Sequence, residues 1–346
     1  MVKVEKHGII LSPTNRGFEN KGTVNPGIYQ DGDDVHLFYR AVQEDNLFSI
    51  GYAKANGPLK IIERLDRPII SRDFDFESQG VKDATIVKID GTYYNTYSAY
   101  DGINITGALA TSKDLIHFEK KGIITPKINY LEYERLVHSS KKLNPKYHQF
   151  YNLYAEMGVE EDEFRFLRDK DVVLFPKKIN GKFAKLHCIW PGIQIVYFDD
   201  FSDLTPSFWE DYLENIFDYI VLDPKGIHEV NYIGVGGPPI ETNEGWLLIY
   251  YGVQETTRGK KYHANAALLQ IDKPEIEISR LDTPLFSPTK DWEKKGQVED
   301  VVFPSGQALF DNELYIYYGA GCTHTAVAKL ELEELLLELR KKAHKI

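Results

Sequence analysis

The chain has 346 residues, with 41 Lys and Arg against 52 Asp and Glu, a formal charge of −11. That acidic balance, with no Lys/Arg-rich face in the sequence, argues against a non-specific nucleic-acid binder. No apolar run approaches the roughly 18 residues of a membrane span, and the short apolar run near the start is too short for a signal peptide.

A cytoplasmic location is therefore expected, with no membrane partner. Two cysteines, Cys188 and Cys322, are too few for a disulfide scaffold or a Cys-rich zinc site. The ten His are scattered without ligand-like spacing, and no glycine-rich nucleotide loop or His-Glu-x-x-His motif occurs. Neither a metal nor a cofactor is expected. The 22 Tyr, 18 Phe and 4 Trp suit β cores and also stack well on sugar rings.

Five segments repeat one pattern: a short strand, a turn, an aromatic-rich strand and a strand of small residues. The first runs from Asn25-Pro-Gly to Phe38-Tyr39-Arg40-Ala and on to Ser49-Ile-Gly-Tyr. The second starts at Lys82-Asp83, turns at Asp90-Gly91, passes Thr96-Tyr-Ser-Ala-Tyr-Asp101 and closes with Gly107-Ala-Leu-Ala. A third leads from Lys170-Asp171 over Asn180-Gly181 to Cys188 and Ile193-Gln-Ile-Val. Gly236-Gly-Pro-Pro opens the fourth, which continues through Tyr250-Tyr251-Gly to Ala264-Asn-Ala-Ala. The fifth joins Asp300-Val-Val-Phe-Pro to Ile316-Tyr-Tyr-Gly and Thr325-Ala-Val-Ala. Asp-Gly and Asn-Gly between alternating runs predict hairpins, because a two-residue primed turn needs positive φ.

Starts near 25, 83, 171, 237 and 300 leave spacings of 58 to 88 residues. Four-stranded units of that period predict an all-β fold, a five-bladed β-propeller, with a β-sandwich as the rival. Two insertions interrupt the repeat, at about 125–169 and 200–228. The first is charged with some helical character; the second is acidic and aromatic, around Trp209-Glu-Asp-Tyr. Residues 330–346 read as an amphipathic helix whose basic last turn suits the helix dipole. No low-complexity linker divides the chain, so residues 1–329 are expected to form one domain.

Inner strand ends of a propeller converge on a central channel. Those positions hold Asn25, Arg40, Asp83, Asp101, Lys170, Asp171, Glu229, Tyr251, Glu255, Tyr262, Asp300 and His324. Carboxylates from different blades facing one cavity could divide acid and base roles. A lone Asp at a strand end equally suits a turn cap.

Taken in order, these strings resemble glycoside hydrolase family 130, the mannoside phosphorylases and related β-mannosidases, over about residues 25–330. The resemblance implies a five-bladed propeller and inverting cleavage of a β-mannosidic bond in a short oligosaccharide. It makes Asp101 the general acid. Asn25 and Arg40 would hold the sugar, with Asp83, Lys170, Tyr251, Tyr262 and His324 as further substrate contacts. Family phosphorylases hold inorganic phosphate with two Arg, a His and a Tyr, where this chain has Lys170, Cys188, Tyr251 and Tyr262. Cysteine and tyrosine cannot replace a bidentate guanidinium. The family's Gly-Ala-x-Asp-Thr is Gly319-Ala-Gly-Cys322-Thr here, which also weakens the mannose preference.

Hydrolysis is therefore the expected reaction, with Glu255 as first candidate for the base and Glu229 as second. A phosphorylase with an altered phosphate site, using inorganic phosphate as co-substrate, is one alternative. A non-catalytic sugar-binding propeller is the other. Homo-oligomers are common in the family and stay open.

Overall fold

The computed structural model describes residues 2–137, 143–149 and 165–343. Five antiparallel blades follow one another along the chain, as the repeat predicts. Blade I comprises β2 (Gly22–Asp31), β3 (Asp34–Val42), β4 (Phe48–Asn56) and β5 (Lys60–Arg64). Blade II comprises β6 (Gly80–Ile89), β7 (Thr92–Tyr100), β8 (Ile105–Ser112) and β9 (Phe118–Ile123). Blade III comprises β10 (Asp169–Leu174), β11 (Phe183–Ile189), β12 (Ile193–Phe198) and β13 (Ile220–Leu222). Blade IV comprises β14 (Tyr232–Val235), β16 (Gly245–Thr256), β17 (Gly259–Leu269) and β18 (Glu277–Arg280), with the short β15 (Ile240–Thr242) also pairing β16. Blade V comprises β19 (Val302–Phe310), β20 (Glu313–Ala320), β21 (His324–Glu331) and, from the other end of the chain, β1 (Glu5–Leu11).

The ring closes through β1, which pairs antiparallel with β21 as the outer strand of the last blade. The repeat gave no sign of this strand, because it belongs to a unit whose other strands lie some 300 residues later. Successive blades are linked around the channel. The Thr85 and Thr96 hydroxyls donate to the Val172 carbonyl, the Ile233 amide to Pro191, the Tyr262 amide to Asp300 and the Ser305 hydroxyl to Pro26. The Asp90-Gly91 and Asn180-Gly181 turns have positive φ at both residues, as primed hairpin turns require.

The second insertion is only partly an insertion, since Ile220–Leu222 within it form β13, the outer strand of blade III. Its helix Pro206–Glu214 buries Trp209, Tyr212 and Leu213. Of the first insertion, the helix Tyr130–Val137 is seen, while residues 138–142 and 150–164 lie outside the described residues. The tail helix spans Leu332–Lys342 and buries Leu332, Leu335, Leu336 and Leu339 against blades IV and V. Each such side chain contributes about 1.5–3 kcal/mol. Among the described residues, no helix is long and apolar enough to cross a membrane.

Four blades share a buried latch that the sequence reading did not find. A glutamate just ahead of the inner strand accepts a tyrosine hydroxyl from the second strand and pairs with a cation from the outermost strand. In blade I, Glu19 accepts from Tyr39 at 2.5 Å and pairs with Arg64 at 3.0 Å. In blade II, Glu77 accepts from Tyr97 at 2.7 Å and pairs with Lys120. In blade IV, Glu229 accepts from Tyr250 at 2.5 Å and pairs with Arg280 at 3.2 Å. In blade V, Glu293 accepts from Tyr318 at 2.7 Å and pairs at 2.7 Å with Lys6, which arrives on β1. All four glutamates are 0% exposed. Blade III departs: buried His187 bridges Asp169 and Tyr212, at 2.8 Å to each.

Candidate active site

A pocket of about 170 Å³ opens at the end of the channel where the inner strands begin. The backbone there is bulged. Asn25, Asp83 and Asp171 take φ of 48°, 54° and 53°, each at a register break in its inner strand. Asn and Asp tolerate this left-handed conformation better than other non-glycine residues. The bulge re-aims the side chains of the strand start, so Asn25 and Asp83 line the pocket.

Asp83 accepts from Asn25 Nδ2 at 2.8 Å and faces Arg40 at 3.4 Å. Burial pushes its carboxyl up, but Arg40, Lys82 and the Asn25 hydrogen bond outweigh this and hold it below the usual range. Across the pocket, Lys170 Nζ donates to the Tyr251 hydroxyl at 3.0 Å and pairs with Asp171 at 3.1 Å. Arg168 lies over the Trp190 ring at 4.6 Å, and Trp190 stacks on Tyr232 with centroids 4.0 Å apart. The Tyr232 and Tyr262 hydroxyls are 2.8 Å apart. Lys82 projects between the Phe48 and Tyr100 rings, at 5.2 and 4.8 Å. Cys322 completes this wall, its thiol pushed up by burial.

The sequence-derived residues divide into two groups. Asn25, Arg40, Asp83, Lys170 and Tyr262 come together in the pocket lining. Tyr251 does not reach it: the residue is fully buried, and its hydroxyl donates to Asp171 and anchors Lys170 from behind. Gly234 leaves room for that ring, since a Cβ there would lie 2.3 Å from the Tyr251 hydroxyl. His324 begins β21 and contacts Ser12, outside the lining.

Both proposed bases also lie outside the lining. Glu229 is the latch carboxylate of blade IV, enclosed by Tyr250, Arg280 and the Lys225 amide. Glu255 is exposed near the β16–β17 hairpin tip, accepting from Asn231 at 2.8 Å. Asp101 follows the second strand of blade II, also outside the lining, three residues past Ser98, the register partner of Lys82. Its carboxylate accepts the Ile103 and Asn104 amides at 2.8 and 2.6 Å and the Asn104 side chain at 3.0 Å. Asn104 in turn accepts the Phe166 amide at 2.8 Å. Asp101 is thereby tied to the segment that carries Arg168.

Sequence reasoning missed Arg168, Lys82, Trp190 and Tyr232. Arg168 and Lys170 are alternate residues entering a strand, and a period-two reading puts them on one face. Lys82 is adjacent to Asp83, and of the two only the carboxylate has an acid–base signature in the sequence. Trp190 and Tyr232 carried no sequence signal. Among the described residues, the lining holds four cations, Arg40, Lys82, Arg168 and Lys170, and Asp83 as its carboxylate. Such a pocket suits an anion beside a polyhydroxyl ligand, with aromatic rings for sugar faces. No group of three or more His, Cys, Asp and Glu converges as a metal site among those residues.

Comparison with known proteins agrees with this chemistry. The Glyco_hydro_130 family model, described as beta-1,4-mannooligosaccharide phosphorylase, matches residues 11–187 and 146–341. A 1,2-beta-oligomannan phosphorylase of Thermoanaerobacter sp. (strain X514) is 30% identical over 340 residues, covering 94% of this chain and 96% of that protein. The solved beta-1,2-mannobiose phosphorylase of Listeria innocua superposes with a TM-score of 0.71 at 22% identity, over 98% of this chain and all of that one. A solved member described among glycoside hydrolases that target beta-1,2 mannosidic linkages in Candida mannan gives 0.72 at 21% identity, over 95% and 93%. The two structural likenesses establish the fold, which a phosphorylase and a hydrolase share.

Proposed function

The chain belongs to glycoside hydrolase family 130, and on that premise we propose that it is an inverting β-mannoside phosphorylase. Its proposed substrates are short β-1,2-linked mannosides, the class for which the Thermoanaerobacter relative is named. The observation that carries this reading is the cation excess of the pocket, where Arg168 and Lys170 stand with Tyr262 in one lining. The sequence favours hydrolysis because Cys188 and Tyr251 stand at positions where the family's phosphorylases have phosphate ligands. That reason weakens once Arg168 brings a guanidinium fork to the same wall. Tyr251 supports this wall indirectly by anchoring Lys170.

Phosphate held by Arg168, Lys170 and Tyr262 attacks C1 from the face opposite the leaving oxygen. The C1–O bond breaks with inversion, and the leaving oxygen takes a proton from Asp101, directly or through a sugar hydroxyl. The attacking hydrogen phosphate returns a proton to Asp101, and the products are α-mannose 1-phosphate and a shortened sugar. No protein base is required, which fits a lining without glutamate among the described residues. Asn25, Arg40 and Asp83 are the proposed sugar ligands.

The test is product analysis of β-1,2-mannobiose incubations with and without inorganic phosphate. Mannose 1-phosphate formed strictly with phosphate supports the reading. Free mannose formed at the same rate without phosphate overturns it in favour of a hydrolase.

A further inference from the structure

We infer that Lys82 is a ligand of the attacking phosphate, an ammonium on blade II that faces the blade III cations across the pocket. The assignment rests on the phosphorylase reading and deepens it. Three observations converge. Lys82 lines the same pocket as Arg168 and Lys170. The Phe48 and Tyr100 rings flank its ammonium at 5.2 and 4.8 Å and fix its direction without neutralising it. Unlike Arg40, which faces Asp83, and Lys170, which pairs with Asp171, it makes no hydrogen bond or close ion pair among the described residues. A half-buried ammonium left in that condition calls for an anion.

The groups around it set its proton affinity. Burial, with Arg40, Arg168 and Lys170 adding and Asp83 alone opposing, lowers the Lys82 pKa to about 7. Tyr100 meets it through the ring, and Tyr232, Tyr262 and Cys322 complete the titratable groups of the lining. The free enzyme therefore carries this ammonium only partly charged at neutral pH. A phosphate dianion favours the charged form, so phosphate binding is coupled to proton uptake at Lys82. The coupling weakens phosphate binding as the pH rises past 7.

The experiment measures KM for inorganic phosphate with β-1,2-mannobiose as co-substrate, from pH 6.5 to 8.5, in wild type, Lys82→Met and Lys82→Arg. Thermal unfolding checks that each variant is folded. Lys82→Met is expected to raise KM for phosphate roughly 10- to 100-fold, the worth of one charge-assisted hydrogen bond, with a much smaller change in KM for the disaccharide. Lys82→Arg, permanently charged, is expected to restore phosphate affinity and to lose the wild-type rise of KM with pH. Phosphate's own ionisation is common to all three proteins and drops out of the comparison. Phosphate-dependent turnover with an unchanged phosphate KM in Lys82→Met, or equal pH slopes in wild type and Lys82→Arg, overturns the assignment alone. Wild-type turnover that ignores phosphate overturns the phosphorylase reading and this assignment with it.

Discussion

The latches and the pocket are built from the same residue types, yet their charges are settled differently. In each latch a buried glutamate meets its own cation and a tyrosine hydroxyl inside the fold. In the pocket four cations face Asp83, with Asp171 engaged behind Lys170. A network that is satisfied internally stabilises structure, whereas an unbalanced one is held by the fold for a ligand. This contrast separates Glu229 from Asp83, although both are carboxylates beside arginine. Glu229 has three counterparts elsewhere in the ring, and Asp83 belongs to the cavity.

The contrast can be broken by removing one carboxylate at a time. Asp101→Asn is expected to lower kcat by about 10²–10⁴, the usual worth of a general acid, while the melting temperature stays near that of wild type. Initial rates with a mannobiose substrate and a thermal scan measure both. Glu229→Gln is expected to do the reverse. It leaves Arg280 without its full partner and costs about 3–5 kcal/mol of stability, while turnover per folded molecule stays unchanged. Glu77→Gln should match it in chemical denaturation. Loss of turnover in a folded Glu229→Gln protein would return that residue to the list of bases.

Smaller effects sharpen the same division. Burial, with Lys261 and His228 adding, pushes His263 down to about 4, against about 6.5 in the unfolded chain. The unfolded state therefore binds the extra proton between those values. The stability His263 contributes is complete above pH 6.5 and is lost as the pH falls toward 4. Denaturation midpoints should decline over that window, less steeply in a His263→Asn variant. Glu255→Gln, at an exposed hairpin end, is expected to shift stability by no more than about 0.5 kcal/mol and to leave the initial rate unchanged.

Much of the ring was legible because its cause is local. Asp-Gly or Asn-Gly turns mark the first three units, Asn243-Glu-Gly and Asp311-Asn the last two, and a strand-turn-strand pattern recurs in each, so blade order and blade number follow from the chain itself. The closing strand β1 was not legible, since nothing local assigns Glu5–Leu11 to a blade formed at the far end of the sequence. The latches had a signal that went unused: Glu19, Glu77 and Glu229 precede their tyrosines by 20, 20 and 21 residues. Reading Glu229 alone made it look like a base, while its repeats mark it as structural. In the site, Asn25, Arg40, Asp83, Lys170 and Tyr262 were found because strand starts converge. Tyr251 lies deeper than its place at a strand end suggests, because both faces of this strand are covered and Tyr250 and Tyr251 alike are fully buried. Arg168 and Lys82 carry no acid–base signature in the sequence, and the pocket is defined by its cations.

A phosphorylase must also run in reverse, and a hydrolase gains nothing from a sugar phosphate donor. The most direct measurement mixes the purified protein with α-mannose 1-phosphate and mannose and follows released inorganic phosphate together with new disaccharide. If phosphate is the nucleophile held by Arg168 and Lys170, the two products appear in equal amounts and added phosphate suppresses both. Release of free mannose with no disaccharide, or no reaction by a protein that still cleaves mannobiose in phosphate-free buffer, would contradict that claim.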